Sequence, residues 1–541
     1  MTKAFPLMAV LCAVVLSCTP VFPQTTGDEK PAAKPAEPTP AQSVTTTGTV
    51  TVDGQNIQYN AVAGIITVGA TDAQDAELGP DGKPQAGTDL AAQFAAAKNV
   101  NEQPPLAHMF YVAYFKKDAD TQHRPITFLY NGGPGSSTVW LHMGAFGPER
   151  VDTDDMDTHL AAAPYRLTDN ENSLLDASDL VFIDMPGTGF GRLTGKDAGK
   201  AFWGINEDGH AFARFIQRFL TQYNRWNSPK YIFGESYGTT RSAVLSNLLE
   251  NDYNIDLNGV ILLSQIFNFT DDIDEPNVNP GVDLAYELAL PTYAATAMYH
   301  HKIPQQPLQP FLDQVEAFAI GPYEQALEKG TDLSQTEKQA VAEKLHEYTG
   351  LPVDYLMRGN LRISGPEFEK TLLQDTDTTT GRLDTRFSGP TIDPLSEESQ
   401  YDPQSSAISS AYVSLFNQYV RDTLHYGNGQ TYLPQVNSPN FTWNFMQHGF
   451  PEMNVAPDLA MAMKTNPKLK VMVNGGYYDL ATPFFAAQYE DKHLPIEQRL
   501  AANIQYDWYP SGHMVYVRTS ALKQLHDNVA AFIKSTDGGN E

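Results

Sequence analysis

The stretch that most constrains this chain is Tyr231-Ile232-Phe233-Gly234-Glu235-Ser236-Tyr237-Gly238. Three β-formers run into Gly-Glu-Ser-Tyr-Gly, and a small-residue, helix-compatible run from Thr239 to Leu245 follows. Strand, sharp turn and helix in that order read as a nucleophile elbow, in which a serine Oγ stands proud of a sheet. The turn is tight and strained, so side chains at Gly234 and Gly238 would collide with neighbouring backbone. The pattern alone also fits an ordinary serine in a strand-to-helix loop. Its meaning depends on what else the chain supplies.

Around the elbow, strand and helix patterns alternate. Thr49–Val52, the turn Asp53-Gly54 and Ile57–Tyr59 read as a hairpin. Ile65–Val68 and His108–Phe115 read as further strands, with Gly79-Pro80-Asp81-Gly82 as a turn between them. Ile126–Tyr130 and Leu180–Ile183 read as buried strands, and Ala211–Tyr223 as a helix whose Phe212, Phe215, Ile216, Phe219 and Tyr223 form a core-facing stripe. Val260–Leu263, Lys468–Val473 and Ile504–Trp508 continue the strands, and Ala521–Ile533 closes the chain as a helix. Between them the chain turns polar and helical, with helices expected over Thr336–Thr349 and Ser405–Leu424 and an exposed polar run at Asp375–Thr380. The pattern predicts a mostly parallel central sheet with antiparallel N-terminal strands, helices on both faces and an inserted, mainly helical cap. The expected divisions are a leader over 1–18, a linker over 19–45, core over 46–270, cap over 271–440 and core again over 441–541. A site between sheet and cap follows from that layout.

Hydrophobic residues make up 41% of the 541 and aromatics 11%, enough for a sizeable core. The formal net charge of −28 argues against nucleic acid or an anionic membrane surface as the main partner. The N-terminus places Lys3 before a short apolar run, Ala4 to Ser17, which is a signal-peptide pattern too short to span a bilayer. Val15-Leu16-Ser17-Cys18 resembles a bacterial lipoprotein box with Cys18 as the lipidated residue. Val15 and Ser17 also suit ordinary signal peptidase, so two exported products stay open: a membrane-tethered lipoprotein and a free periplasmic protein. Residues 19 to about 45 are rich in Pro, Ala, Thr and Gln and read as a solvated linker. Both cysteines, Cys12 and Cys18, lie in the leader, so the expected mature domain has no disulfide.

Acyl transfer by a serine needs a base, an acid that orients the base, and donors for the oxyanion. Where a sheet carries these parts in the order Ser, acid, His, the last two sit in loops after late strands. Asp479 follows one late strand through Asn474-Gly475-Gly476-Tyr477-Tyr478, and His513 follows the next in Gly512-His513-Met514-Val515. Asn131-Gly132-Gly133-Pro134-Gly135-Ser136-Ser137 directly follows the Ile126–Tyr130 strand, where an oxyanion N–H is expected. His142 and His210 fall out of that order and read as structural, and Asp507 lies within a strand pattern.

Five stretches, in one order, resemble the serine carboxypeptidase family: Asn131–Ser137, Asp184–Phe190, Gly234–Gly238, Gly476–Asp479 and Gly512–Met514. The resemblance implies an α/β-hydrolase fold and removal of C-terminal residues from peptides. It implies Ser236 as nucleophile, His513 as base and Asp479 as its orienter. It also implies an oxyanion hole from the N–H groups of Gly133 and Tyr237, and Asn131, Gly132 and Glu235 as receivers of the substrate's terminal carboxylate. Two carboxylates repel, so Glu235 must be protonated in that role, and binding is expected to be best at acidic pH. The chain departs from the family at Ala145, where a Glu commonly partners the Glu of the nucleophile box, and Glu149 lies nearby out of register. Tyr477 stands where an Asp is frequent, and the family's disulfides are absent.

Ala145 encourages an alternative in which the same triad serves an esterase, amidase or acyltransferase. A binding protein on the same fold is a further reading, disfavoured because every catalytic slot is filled. Asp271, Asp272, Asp274 and Glu275, and likewise Asp152, Asp154, Asp155 and Asp157, do not fit an EF-hand loop and read as solvated loops. His300-His301 are adjacent rather than one helical turn apart, so no zinc pair is expected. No phosphate loop or dinucleotide fingerprint appears, and no cofactor is expected.

Overall fold

A computed structural model describes residues 43–153, 155, 157–447 and 454–538. The expected leader, Cys18, most of the linker and Asp154 lie outside the described residues. The main sheet is built from β1 (Ser43–Val52), β2 (Gln55–Gly69), β3 (Leu106–Lys116), β4 (Ile126–Tyr130), β5 (Asp179–Ile183), β6 (Lys230–Glu235), β7 (Gly259–Leu263), β8 (Lys470–Gly476) and β9 (Ile504–Tyr509). Their spatial order is β1-β2-β3-β5-β4-β6-β7-β8-β9, and the short strand Arg192–Thr194 also pairs with β3. Pairing is antiparallel from β1 through β5 and parallel from β5 to β9. The hairpin register pairs Val52 with Gln55 across Asp53-Gly54. Ile65–Val68 is not a separate strand but the end of the 15-residue β2, which pairs with β3 from Tyr59 to Gly69.

Strand residues alternate between two buried layers, as the two-residue pleat requires. Phe110, Leu129, Phe233, Ile261 and Met472 face one layer, whereas Met109, Phe128, Ile232, Val260 and Val471 face the other. Helices α1 (Ile205–Gln222) and α2 (Tyr237–Asn251) cover the second layer. The α1 stripe of Phe212, Phe215, Ile216 and Phe219 is fully buried there, and the Tyr223 hydroxyl at its C-terminus bonds that of Tyr111 at 2.7 Å. The chain leaves the sheet after Leu263 and rejoins it at Lys470 as the neighbour of β7.

A third cluster centres on α3 (Leu284–Tyr299) and α4 (Gln335–Thr349), spans Ile273 to Leu373, and includes Leu480 and Phe484 beyond β8. Helix α4 starts on a capping box in which Ser334 and Glu337 satisfy each other's backbone N–H. Helix α5 (Pro403–Asp422) packs instead with α7 (Thr519–Thr536) into the first layer of the sheet core. Helix α6 (Phe484–Lys492) leads away from β8. The Asp375–Thr380 run is not all exposed: Thr379 and Thr380 are buried in a strand paired with Ser388–Pro390, and Thr379 Oγ1 donates to Ser399 at 2.9 Å. Threonine is β-branched, and a hydroxyl with a partner can be buried at small cost. Among the described residues no helix is long and apolar enough to cross a membrane.

Candidate active site

Ser236 sits between the end of β6 and the start of α2 at φ 82°, ψ −125°. That is a sparsely populated region for a residue with a Cβ, costing about 1–3 kcal/mol, and persists because the surroundings hold it. Its N–H donates to Leu263 O at 3.0 Å, and its C=O accepts from the N–H and the hydroxyl of Thr239, each at 2.7 Å.

The loop after β4 lies directly on this turn. A Cβ on Gly132 would fall on Tyr237 N and lie 2.6 Å from Gly238 N and 2.7 Å from Glu235 O. Only glycine permits that approach, and it sets the Gly133 and Tyr237 N–H groups on neighbouring backbone. Gly133 is at φ 114°, a left-handed value that turns the loop so that Ser136 N donates to Gly132 O at 3.1 Å. The Tyr237 side chain points away into the core against Trp443, so only its backbone faces the loop. Asp184 braces the far side of the loop by accepting from Thr138 N at 2.7 Å, and burial pushes its carboxyl up to about 7.

Asp479 follows β8 and is fully buried. It accepts from Thr482 N at 3.0 Å, from Thr482 Oγ1 at 2.7 Å and from His513 Nδ1 at 2.8 Å. A carboxylate only accepts, so Nδ1 carries the proton and Nε2 is the basic nitrogen. The His513 backbone is held at both ends: its N–H donates to Leu383 O at 2.7 Å, and its C=O accepts from Ser264 Oγ at 2.7 Å. Burial pulls the imidazole pKa down, but the charge and hydrogen bond of Asp479, with Glu235 adding to them, leave it raised.

Glu235 is 3% exposed, immediately before Ser236. Its Oε1 accepts from Asn131 Nδ2 at 2.8 Å and from the Tyr516 hydroxyl at 3.1 Å, and its Oε2 has no partner. Burial pushes this carboxyl up to about 7, against the pull of His513, Tyr516 and Asn131. Asn131 is itself fixed, with Oδ1 accepting from Leu141 N at 3.0 Å and its backbone O from Arg241 Nη1 at 2.8 Å. Asn131, Gly132, Gly133, Glu235, Ser236 and His513 line one cavity of about 340 Å³, closed by Arg382, Leu383, Ser405 and Ile408. A groove of about 850 Å³ beside Trp226 is larger, but no nucleophile–base pair lines it.

The remaining candidates are occupied elsewhere. Ala145 is buried in the helical turn His142–Phe146, with its C=O taken by Asn170, and Glu149 opens a short strand paired with Leu167–Asp169. His142 stacks on Phe182 at 4.3 Å, and burial pushes it down to about 3. Asp274 is ion-paired with Arg382, Asp152 with Arg166, and Asp155 accepts from Thr519 N. His300 bonds Thr385 O at 2.7 Å. Asp53, His526 and Asp527 approach closely enough for a metal, but Lys523 lies 2.9 Å from Asp527 and 3.8 Å from Asp53, and supplies the counter-charge. Sequence reasoning missed Thr482, Tyr516 and Arg241. Thr482 lies three residues beyond Asp479, close enough for a short-range signal, whereas Tyr516 and Arg241 act through long-range contacts.

The mixed sheet with its parallel half, the helices on both faces and the strand–serine–helix elbow define an α/β-hydrolase fold. Residues 96–536 match the profile of the serine carboxypeptidase family, and the chain belongs to that family. It is similar to a carboxypeptidase Y homologue of Arthroderma benhamiae, 29% identical over 130 residues that cover 24% of each chain. It is also similar to the pheromone-processing carboxypeptidase KEX1 of Saccharomyces cerevisiae, 34% identical over 125 residues, 23% of this chain and 15% of that one. The matched stretch therefore spans about a quarter or less of these relatives' lengths. Among solved structures, the proline iminopeptidase of Mycobacterium smegmatis aligns with a TM-score of 0.34 and 13% identity, over 80% of this chain and 97% of that one.

Proposed function

We propose that this protein is a serine-type carboxypeptidase that releases C-terminal residues from peptides through an acyl-enzyme. The observation that carries the reading is Glu235: a buried carboxyl next to the nucleophile in the lining of the cavity, with one oxygen held by two donors and the other, also buried, without a partner. In this reading the protonated Oε2 donates to the substrate's terminal carboxylate, and Asn131 and Gly132 N–H complete the receiving group. Ser236 Oγ attacks the last peptide carbonyl while His513 Nε2 takes its proton, with Asp479 holding the imidazolium. The oxyanion draws on Gly133 and Tyr237 N–H. His513 then gives the proton to the departing amine, and water repeats the sequence on the Ser236 ester.

The productive free enzyme carries one proton on Glu235 and none on His513. The opposite placement has the same charge and is inactive, so the two groups titrate as a pair. Mass spectrometry of a digest tests the reading: stepwise loss of single C-terminal residues from a free-acid peptide, absent in Ser236→Ala, is expected. Internal cleavage, or equal activity of Ser236→Ala, contradicts it. An esterase or amidase reading is favoured by Ala145 alone, and predicts turnover that ignores the terminal carboxylate. The leader supports export, with lipidation at Cys18 as the tethered form; the mass of the mature N-terminal peptide distinguishes a lipid-bearing Cys18 from plain cleavage.

A further inference from the structure

The Glu235 carboxyl is held asymmetrically. Two donors converge on Oε1, and Oε2, equally buried, has none. A protonated carboxyl has one acceptor-only oxygen and one O–H. Placing the O–H on Oε1 would set it against the Asn131 N–H and force the Tyr516 hydroxyl to turn, so the proton belongs on Oε2.

The second donor exists because of an unusual piece of packing. Tyr516 is fully buried on the single helical turn Val515–Val517, three residues after His513. Its ring lies over Gly144, where a Cβ would come within 2.6 Å of ring carbon Cδ2 and of the Tyr412 hydroxyl. Ala145 follows in the same turn, buried, with its C=O accepting from Asn170 Nδ2 at 2.8 Å. The turn is pinned by Ser511 Oγ donating to Val515 O at 3.0 Å and Thr153 Oγ1 donating to Val517 O at 2.7 Å. The Tyr516 hydroxyl therefore reaches Glu235 from a rigid support that also carries the base.

We propose that Tyr516 is a positioning residue for Glu235: with Asn131 it saturates Oε1, so that Oε2 alone presents the proton to the substrate's terminal carboxylate. This rests on the peptidase reading for the identity of the ligand, and on hydrogen-bond geometry for the position of the proton. The other titratable or charged groups around Glu235 are His513 with Asp479 behind it, Arg382 with its partner Asp274 in the wall of the same cavity, Tyr412 on α5, and Arg241 with its partner Asp208 behind Asn131. None of these donates to Glu235 among the described contacts; the Tyr516 hydroxyl also bonds the Asn131 side chain, so removing it deletes one donor to Glu235 and one partner of Asn131.

Tyr516→Phe keeps the ring and deletes that donor. The ionised carboxylate loses a hydrogen bond, so the Glu235 pKa rises by roughly half a unit to one unit. Infrared titration reads this directly, using the protonated-carboxyl band that Glu235→Gln abolishes. With a free-acid peptide at acidic pH, where Glu235 is protonated in both proteins, KM rises about two- to tenfold, the size of one net hydrogen bond, with kcat unchanged. The matching C-terminal amide is unaffected. Gly144→Ala, which displaces the ring, is expected to move the band and KM in the same directions. A band midpoint that stays or falls in Tyr516→Phe, or a parallel loss on the amide, overturns the proposal. If the wild type turns over no peptide, the peptidase reading falls, while the infrared midpoint still decides the role of Tyr516.

Discussion

Asp208 and Arg241 form an ion pair with no exposed side-chain surface, Arg241 Nε to Asp208 Oδ2 at 2.5 Å, directly beneath the elbow. The guanidinium also lies 4.3 Å from the Phe212 ring centroid and donates to Asn131 O at 2.8 Å. Burial pushes Asp208 up to about 6 against the opposing charge and hydrogen bond of Arg241. Asp208→Ala leaves a buried cation uncompensated, which costs about 3–5 kcal/mol and, in a chain this long, lowers Tm by roughly 3–5 °C. The double variant Asp208→Leu/Arg241→Met replaces the pair with apolar side chains of similar volume. Stability then returns to within about 1–3 kcal/mol of wild type, the remainder being the orphaned Asn131 carbonyl. Activity does not return, because that carbonyl anchors the residue that holds Glu235; kcat/KM on a free-acid peptide stays about 10- to 100-fold low. Calorimetry and steady-state kinetics on the three proteins check this. A double variant with both wild-type stability and wild-type activity refutes the link between the buried pair and the site.

Three further outcomes follow from the same contacts. In Glu235→Gln, the two donors on the Oε1 position draw the amide oxygen there and leave Nε2–H facing the cavity, so the free-acid to amide rate ratio becomes flat with pH. In the wild type that ratio falls about tenfold per unit above pH 7, to which burial raises the Glu235 carboxyl, as the proton is lost. Glu490 and Asp491, buried and bridged by Gln265 Nε2 at 3.1 Å to each, are pushed up by burial to about 8 and about 7. Both folded values exceed the ordinary carboxyl values of 4.5 and 3.8, so their stabilisation is complete below those values and is lost as pH rises toward 8. Thermal scans should show Tm falling between pH 4.5 and 8, and Glu490→Gln/Asp491→Asn should flatten the slope. Gly132→Ala forces a Cβ onto backbone atoms of the elbow that cannot move aside, so labelling of Ser236 by a fluorophosphonate should be abolished; retained labelling contradicts the packing described.

The elbow was readable because β-formers, two glycines and a helix-compatible run occupy consecutive positions, and the structure places Ser236 at that junction. The acid and histidine loops were readable from their positions after late strands. Strand ends were less so: Ile65–Val68 reads as separate because Asn60 to Gly64 lacks large apolar residues, yet β3 pairs with β2 without a break from Tyr59 to Gly69. Buried threonines escaped because polarity predicts exposure unless a partner is known, and Ser399 is twenty residues from Thr379. Ala145 was visible in sequence, but the Tyr516 contact was not: Tyr516 meets Glu235 281 residues away, through space that Gly144 leaves open. Arg241 was hidden for the same reason, since its acid lies on α1 and its acceptor in the loop after β4.

The most direct test of the central claim compares one blocked dipeptide with a free C-terminal carboxylate and its C-terminal amide, from acid to neutral pH, with Ser236→Ala as control. The account predicts faster turnover of the free acid on the acidic side, a preference that collapses above pH 7, and no turnover of either by the variant. Equal turnover of acid and amide across the whole range contradicts it.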